Sequence, residues 1–93
     1  MATTESPTTL RACAKGDVLD VVLRDHDGHL TATVERVICV GGECRLLLEQ
    51  GVPDWRWRLV DRPGQPMTAA VRMTDGAAGW EDRGPVESVE VVA

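Results

Sequence analysis

Apolar and polar residues alternate with a period of two along most of this chain, the pattern of half-buried strands rather than of helices. The clearest run covers residues 17–49 and reads as three strands joined by two tight turns, Asp27-Gly28 and Gly41-Gly42. Asp-Gly suits a two-residue hairpin turn, in which both turn residues take positive φ. A turn there pairs His26 with His29, Leu23 with Ala32 and Val21 with Val34. It sets Leu19, Val21 and Leu23 on the same face as Leu30, Ala32 and Val34, with Asp20, Arg24, Thr31 and Thr33 on the other. The Gly41-Gly42 turn pairs Cys39 with Cys44, Val37 with Leu46 and Glu35 with Leu48. Along the middle strand the apolar face therefore changes from even to odd positions. Side chains alternate strictly, so that change needs an irregularity, and it falls at Glu35-Arg36. A bulge there bends the strand until both halves line one core. The alternative is that Ile38 and Leu47 simply make the opposite face apolar as well.

The remaining segments follow the same rhythm. The first three strands are expected at about residues 16–24, 29–40 and 43–50. Gly51-Val52-Pro53 breaks the ladder, because proline has no N–H to donate. A fourth strand over 55–60 places Trp55, Trp57 and Leu59 on one face and Arg56, Arg58 and Val60 on the other. Pro63-Gly64 fits the central pair of a type II turn. A fifth strand over 67–74 turns Met67, Ala69, Val71 and Met73 inward and Thr68, Arg72 and Thr74 outward. Residues 75–79 read as a loop, 80–84 as irregular, and 86–92 as a last strand able to pair with the first. Residues 1–9 have little to bury and read as a flexible tail; 10–14 could make one helical turn or a short edge strand. The expected fold is all-β: a small antiparallel meander curled into a barrel of five or six strands, one domain over 10–93. Closure is favoured because an open sheet would leave two unpaired edges.

Composition adjusts this picture at three points. With no Phe or Tyr and three Trp, the core must be built from Val, Leu, Met and Trp. Fifteen Asp and Glu stand against nine Arg and one Lys, a net charge of −5. An acidic chain disfavours a nucleic-acid coat and favours a protein or small-molecule partner. In its scarcity of Lys and wealth of Asp, Ala and Val, the chain resembles small uncharacterised proteins of halophilic archaea. That likeness is one of composition and implies no function. No apolar run approaches the length of a spanning helix, and the N-terminus lacks the regions of a signal peptide, so the expected location is cytoplasmic, with no membrane contact. Three cysteines in that setting are expected as reduced thiols; Cys39 and Cys44, directly opposite beside a tight turn, have β-carbons within disulfide distance, and a bond between them is the alternative.

The runs Asp20-Val21-Val22-Leu23-Arg24-Asp25, Gly28-His29-Leu30-Thr31-Ala32-Thr33-Val34 and Leu46-Leu47-Leu48-Glu49 resemble the first motif of Sm-like barrels. The resemblance covers roughly a third of the chain and implies that the barrel of five or six strands is SH3/Sm-like in shape. Ring assembly and RNA binding in that family go with a second, Arg-Gly motif, and Arg72-Met73-Thr74 stands in its place here.

Few residues carry candidate chemistry. His26, His29, Cys39 and Cys44 form a nominal zinc set, but one strand separates the two pairs by roughly 30 Å, far beyond a shared tetrahedral site. No metal and no cofactor are expected. Catalytic constellations and phosphate loops are absent from the sequence, so the chain is not expected to be an enzyme, although an accessory enzyme without a legible site is an alternative. Trp55-Arg56-Trp57-Arg58 is the one stretch with the residue types of recognition surfaces. Its alternation puts both Trp on one face, where they read most simply as core. Leu47, with Ile38 and Val40, forms a surplus apolar face on the middle hairpin. The candidate binding residues are thus Trp55, Arg56, Trp57, Arg58 and Leu47. The expected function is a non-enzymatic binding or scaffold module acting through a protein partner or a homodimer, joined near residues 36–48. Single-stranded nucleic-acid binding through residues 55–58 is the alternative.

Overall fold

The computed structural model describes residues 10–25, 29–50, 55–73 and 79–93. A single 3-10 turn, η1 (Leu10–Ala12), precedes six strands: β1 (Val18–Leu23), β2 (His29–Val40), β3 (Glu43–Glu49), β4 (Trp55–Asp61), β5 (Thr68–Met73) and β6 (Glu81–Val91). Each strand pairs antiparallel with the next, and β6 returns to β1, closing a barrel. The expectation of a small closed all-β barrel holds, with six strands.

Inward-facing residues of every strand make one core. Leu19 and Val21 of β1, Val34 of β2, Leu46 and Leu48 of β3, Leu59 of β4 and Val71 of β5 are all essentially sealed from solvent. Leu10 is also fully buried, so the 3-10 turn contributes a core side chain rather than only a connection. Trp57 is half-buried against this cluster, and its indole Nε1 donates to Gln50 Oε1 at 2.9 Å. An indole N–H in a partly dry setting needs such an acceptor.

Bulges let the strands bend. The β2–β3 register runs Val34↔Leu48 and then Arg36↔Leu47, so Glu35 is the extra residue where the apolar phase changes. The bulge corrects one expected pair, since Val34 rather than Glu35 stands opposite Leu48. Two more lie in β6, where Arg83 is skipped against β5 and Glu87 against β1. Segment 80–84, read from the sequence as irregular, is thus mostly the bulged start of β6.

The turns follow their sequences where they are described. Gly41 and Gly42 take φ of 61° and 86°, the conformation of a two-residue hairpin turn that strongly favours glycine. Gln65 N–H donates to Arg62 C=O across Pro63-Gly64, and Gly64 has φ of 73°, as a type II turn requires. The first hairpin differs. Val21 pairs with Leu30 and Leu19 with Ala32, instead of Val21 with Val34 and Leu23 with Ala32. The turn itself, Asp27-Gly28 with His26, lies outside the described residues. The slip is even, so every side chain keeps its expected face. Leu23 instead pairs with Val86, and Arg24 N–H donates to Pro85 C=O, so contacts with β6 hold the end of β1.

Candidate functional site

The outer face of β3, β4 and β5 carries the charge. Arg58 stands between Leu47 and Ala70, Arg56 between Glu49 and Arg72, and Val60 between Arg45 and Thr68. Trp80, just before β6, lies on this face. Its ring centroid is 4.7 Å from the Arg58 guanidinium carbon and 5.0 Å from that of Arg72, within cation–π range of both. Val60 and Ala70 face outward from the barrel, yet only 7% of each is exposed. Trp80 lines a depression of about 160 Å³ with them, together with Arg58, Thr68, Ala69 and Asp82. A smaller depression of about 90 Å³ lies between Trp80, Arg72, Arg56, Leu47 and Glu35.

The arginines differ in their partners. Glu43 accepts hydrogen bonds from Arg45 and from Arg62, the latter at 2.9 Å. Those two bonds, Arg45 first, hold its carboxyl below the usual carboxylate range. Arg56 Nε lies 3.3 Å from Glu35 Oε1, a pairing made possible by the bulge that presents Glu35. Arg58 and Arg72 make no ion pair among the described residues; both lie against Trp80. Arg58 Nε is shielded from solvent and has no hydrogen-bond acceptor among the described residues. Burial, and then repulsion from Arg45 and Arg62, pushes the Arg58 guanidinium below the usual arginine range. It nonetheless remains a cation at neutral pH.

The structure therefore divides the candidate binding residues. Arg56, Arg58 and Leu47 share the outer face, while Trp57 contributes to the core and Trp55, half-buried, sits on the same side as Trp57. The aromatic partner of the arginines is Trp80, which sequence alternation gave no means of placing. A signal existed: Trp55, Trp57 and Leu59 already occupied one face, leaving Trp80 as the tryptophan without a strand position.

A second feature arises from strand lengths. β2 has twelve residues and β1 six, and their pairing ends at Val18↔Thr33. Two further bonds, Val34 N–H to Asp17 C=O and Gly16 N–H to Val34 C=O, extend it to Val34. Beyond that point residues 36–40 bond to β3 on one side only among the described residues. Alternation along an antiparallel ladder directs the backbone groups of Val37 and Cys39 toward the open side. Their side chains face the core, whereas Ile38 and Val40 project outward, 38% and 74% exposed. Ile38, Val40, Glu43 and Arg45 border a shallow depression of about 320 Å³.

The cysteines and His29 have other partners than metal chemistry would need. Cys39 and Cys44 face each other with α-carbons 4.0 Å apart and are joined as a disulfide. This corrects the expectation of two reduced thiols: the tight turn brings both β-carbons within bonding reach. Cys13 is buried and takes no part in the disulfide; burial, and then Asp17, raises its thiol above the usual range. His29 Nδ1 lies 2.8 Å from an Asp20 carboxylate oxygen on β1. Among the described residues no group of three or more acidic, His or Cys side chains could hold a metal ion, and no helix is long and apolar enough to cross a membrane.

No protein-family model, no curated protein and no solved structure matches the chain.

Proposed function

We propose that this chain is a non-enzymatic binding module that works by self-association, two copies joining edge to edge along residues 36–40 of β2. The observation that carries this reading is the half of β2 that outruns β1 and, among the described residues, leaves one side of its backbone without a strand. Open edges of this kind are templates for another strand, and proteins that keep them commonly use them. An antiparallel two-fold pairing centred on Ile38 sets Val37 against Cys39 of the second copy, and the reverse, giving about four backbone hydrogen bonds. It also brings Ile38 against its own counterpart and Val40 against Arg36, covering the exposed apolar side chains. A two-fold arrangement is the commonest way to close such an interface. The hairpin disulfide keeps the strand extended before association, which lowers the ordering cost of binding.

The inward placement of Trp57 and the mixed charge of the outer face favour a protein partner over nucleic-acid stacking. Sedimentation or light scattering over a concentration series, at low and high salt, tests the proposal. The expected result is a dimer whose mass barely responds to salt, because backbone bonds and apolar contacts hold it. Ile38→Glu places like charges opposite each other across the two-fold axis and should return the protein to monomer. A wild-type monomer at high micromolar concentration, or an Ile38→Glu variant that stays dimeric, overturns this interface.

A further inference from the structure

We propose that the outer face around Trp80 is a carboxylate-binding site, in which Arg58 and Arg72 receive one Asp or Glu side chain from an extended segment of another protein. Charge matching selects these two cations. Arg45 and Arg62 are committed to Glu43, and Arg56 to Glu35. Arg58 and Arg72 remain without a counter-ion among the described residues, and the same indole ring positions both. A guanidinium held against an aromatic face loses little further freedom when an anion arrives.

Arg58 adds a second argument. Its Nε is screened from water without an acceptor among the described residues, so folding has already removed part of its hydration. A carboxylate meeting a partly dry cation gains more than it does from an exposed one, since the local dielectric is lower. Val60 and Ala70 give the adjoining depression an apolar lining, and at about 160 Å³ it suits a side-chain carboxylate better than a nucleotide.

The remaining charges choose between partner classes. Asp82 borders the depression beside Arg58, and Glu35 the one beside Arg72. Those rim carboxylates repel a chain with a phosphate at every unit but leave room for an isolated acid flanked by apolar residues. Leu47, half-buried in the second depression, offers such a neighbour an apolar contact. The site lies on side chains of β4 and β5, whereas the proposed self-association uses the β2 backbone, so either can stand without the other.

The test follows the Nε–Hε resonances of the arginines in the full-length protein at about 0.1 M salt. The probes are an extended pentapeptide Ac-Ala-Val-Glu-Val-Ala-amide, its Gln counterpart, inorganic phosphate and an oligothymidylate. The Glu peptide is expected to shift Arg58 and Arg72 saturably while Arg45, Arg56 and Arg62 hold still, and the Gln peptide to shift neither. Arg72→Gln, a change at an exposed position, should weaken binding about tenfold, the loss of one charge-assisted hydrogen bond. Equal movement of all five arginines, no movement of Arg58 and Arg72, or tighter binding of phosphate or oligothymidylate than of the Glu peptide would each overturn the proposal.

Discussion

Leu10 tests whether the barrel's core extends outside its strands. It belongs to a three-residue turn, a position from which little stability would be expected, yet none of its surface reaches solvent. Leu10→Ala removes three buried carbons and leaves a cavity, and such changes cost about 2.7–5.0 kcal/mol in well-packed sites. A short turn can settle partly into the space, which argues for the lower end, about 3 kcal/mol. At roughly 0.05–0.15 kcal/mol per residue, a domain of this size has only about 5–14 kcal/mol in total. One methyl-rich side chain on a turn thus carries a large share of it. In urea, with a slope of about 1.5 kcal/mol/M, the midpoint should fall by about 2 M, and the melting temperature by about 12–24 °C. The measurement belongs at one fixed protein concentration, because self-association would add a concentration dependence. Val92→Ala, at a residue 52% exposed and outside both proposed surfaces, serves as the control and should change stability by less than about 0.5 kcal/mol. A Leu10→Ala midpoint within about 0.3 M of wild type, at unchanged slope, would refute the placement of this side chain in the core.

Three further outcomes follow from the same geometry. Reducing the Cys39–Cys44 disulfide releases a short loop and should cost about 2 kcal/mol, read by urea unfolding with and without reductant, while buried Cys13 stays unlabelled by alkylating reagents until the protein unfolds. Glu43 is held below its ordinary value of 4.5 by Arg45 and Arg62, so its contribution is present above that value and is lost as pH falls through its folded pKa. Glu43→Gln should therefore be less stable than wild type at neutral pH, with the difference closing in strong acid; a constant difference across the range would count against the pairing. Trp80→Ala uncovers Val60 and Ala70 and should cost about 1–2 kcal/mol, while the Arg58 and Arg72 Nε–Hε resonances move toward those of a free arginine. Unshifted resonances would show that the ring does not hold them.

Much of the barrel was legible because strand pattern and turn chemistry are local. The alternation of Leu30, Ala32 and Val34 with Val37 and Cys39 is enough to require the Glu35 bulge, and Gly41-Gly42 fixes the Cys39–Cys44 pairing two residues away. Pro63-Gly64 determines its turn in the same way, through φ values that few other residues adopt. The register of β1 on β2 is of another kind. Pairings that differ by an even slip bury the same side chains, so hydrophobic pattern cannot distinguish them, and the choice fell to β6, which holds Leu23 and Arg24. Trp80 could not be placed by pattern for a similar reason: its neighbours Arg58, Arg72 and Ala70 belong to β4 and β5, and the Arg83 bulge in the β5–β6 ladder sets how the start of β6 meets them. The open edge combines both levels. The twelve residues of β2 can be counted in the sequence, but the first strand reads there as 16–24, and only the register set by packing across the whole core shortens it to six residues and decides which end of β2 projects.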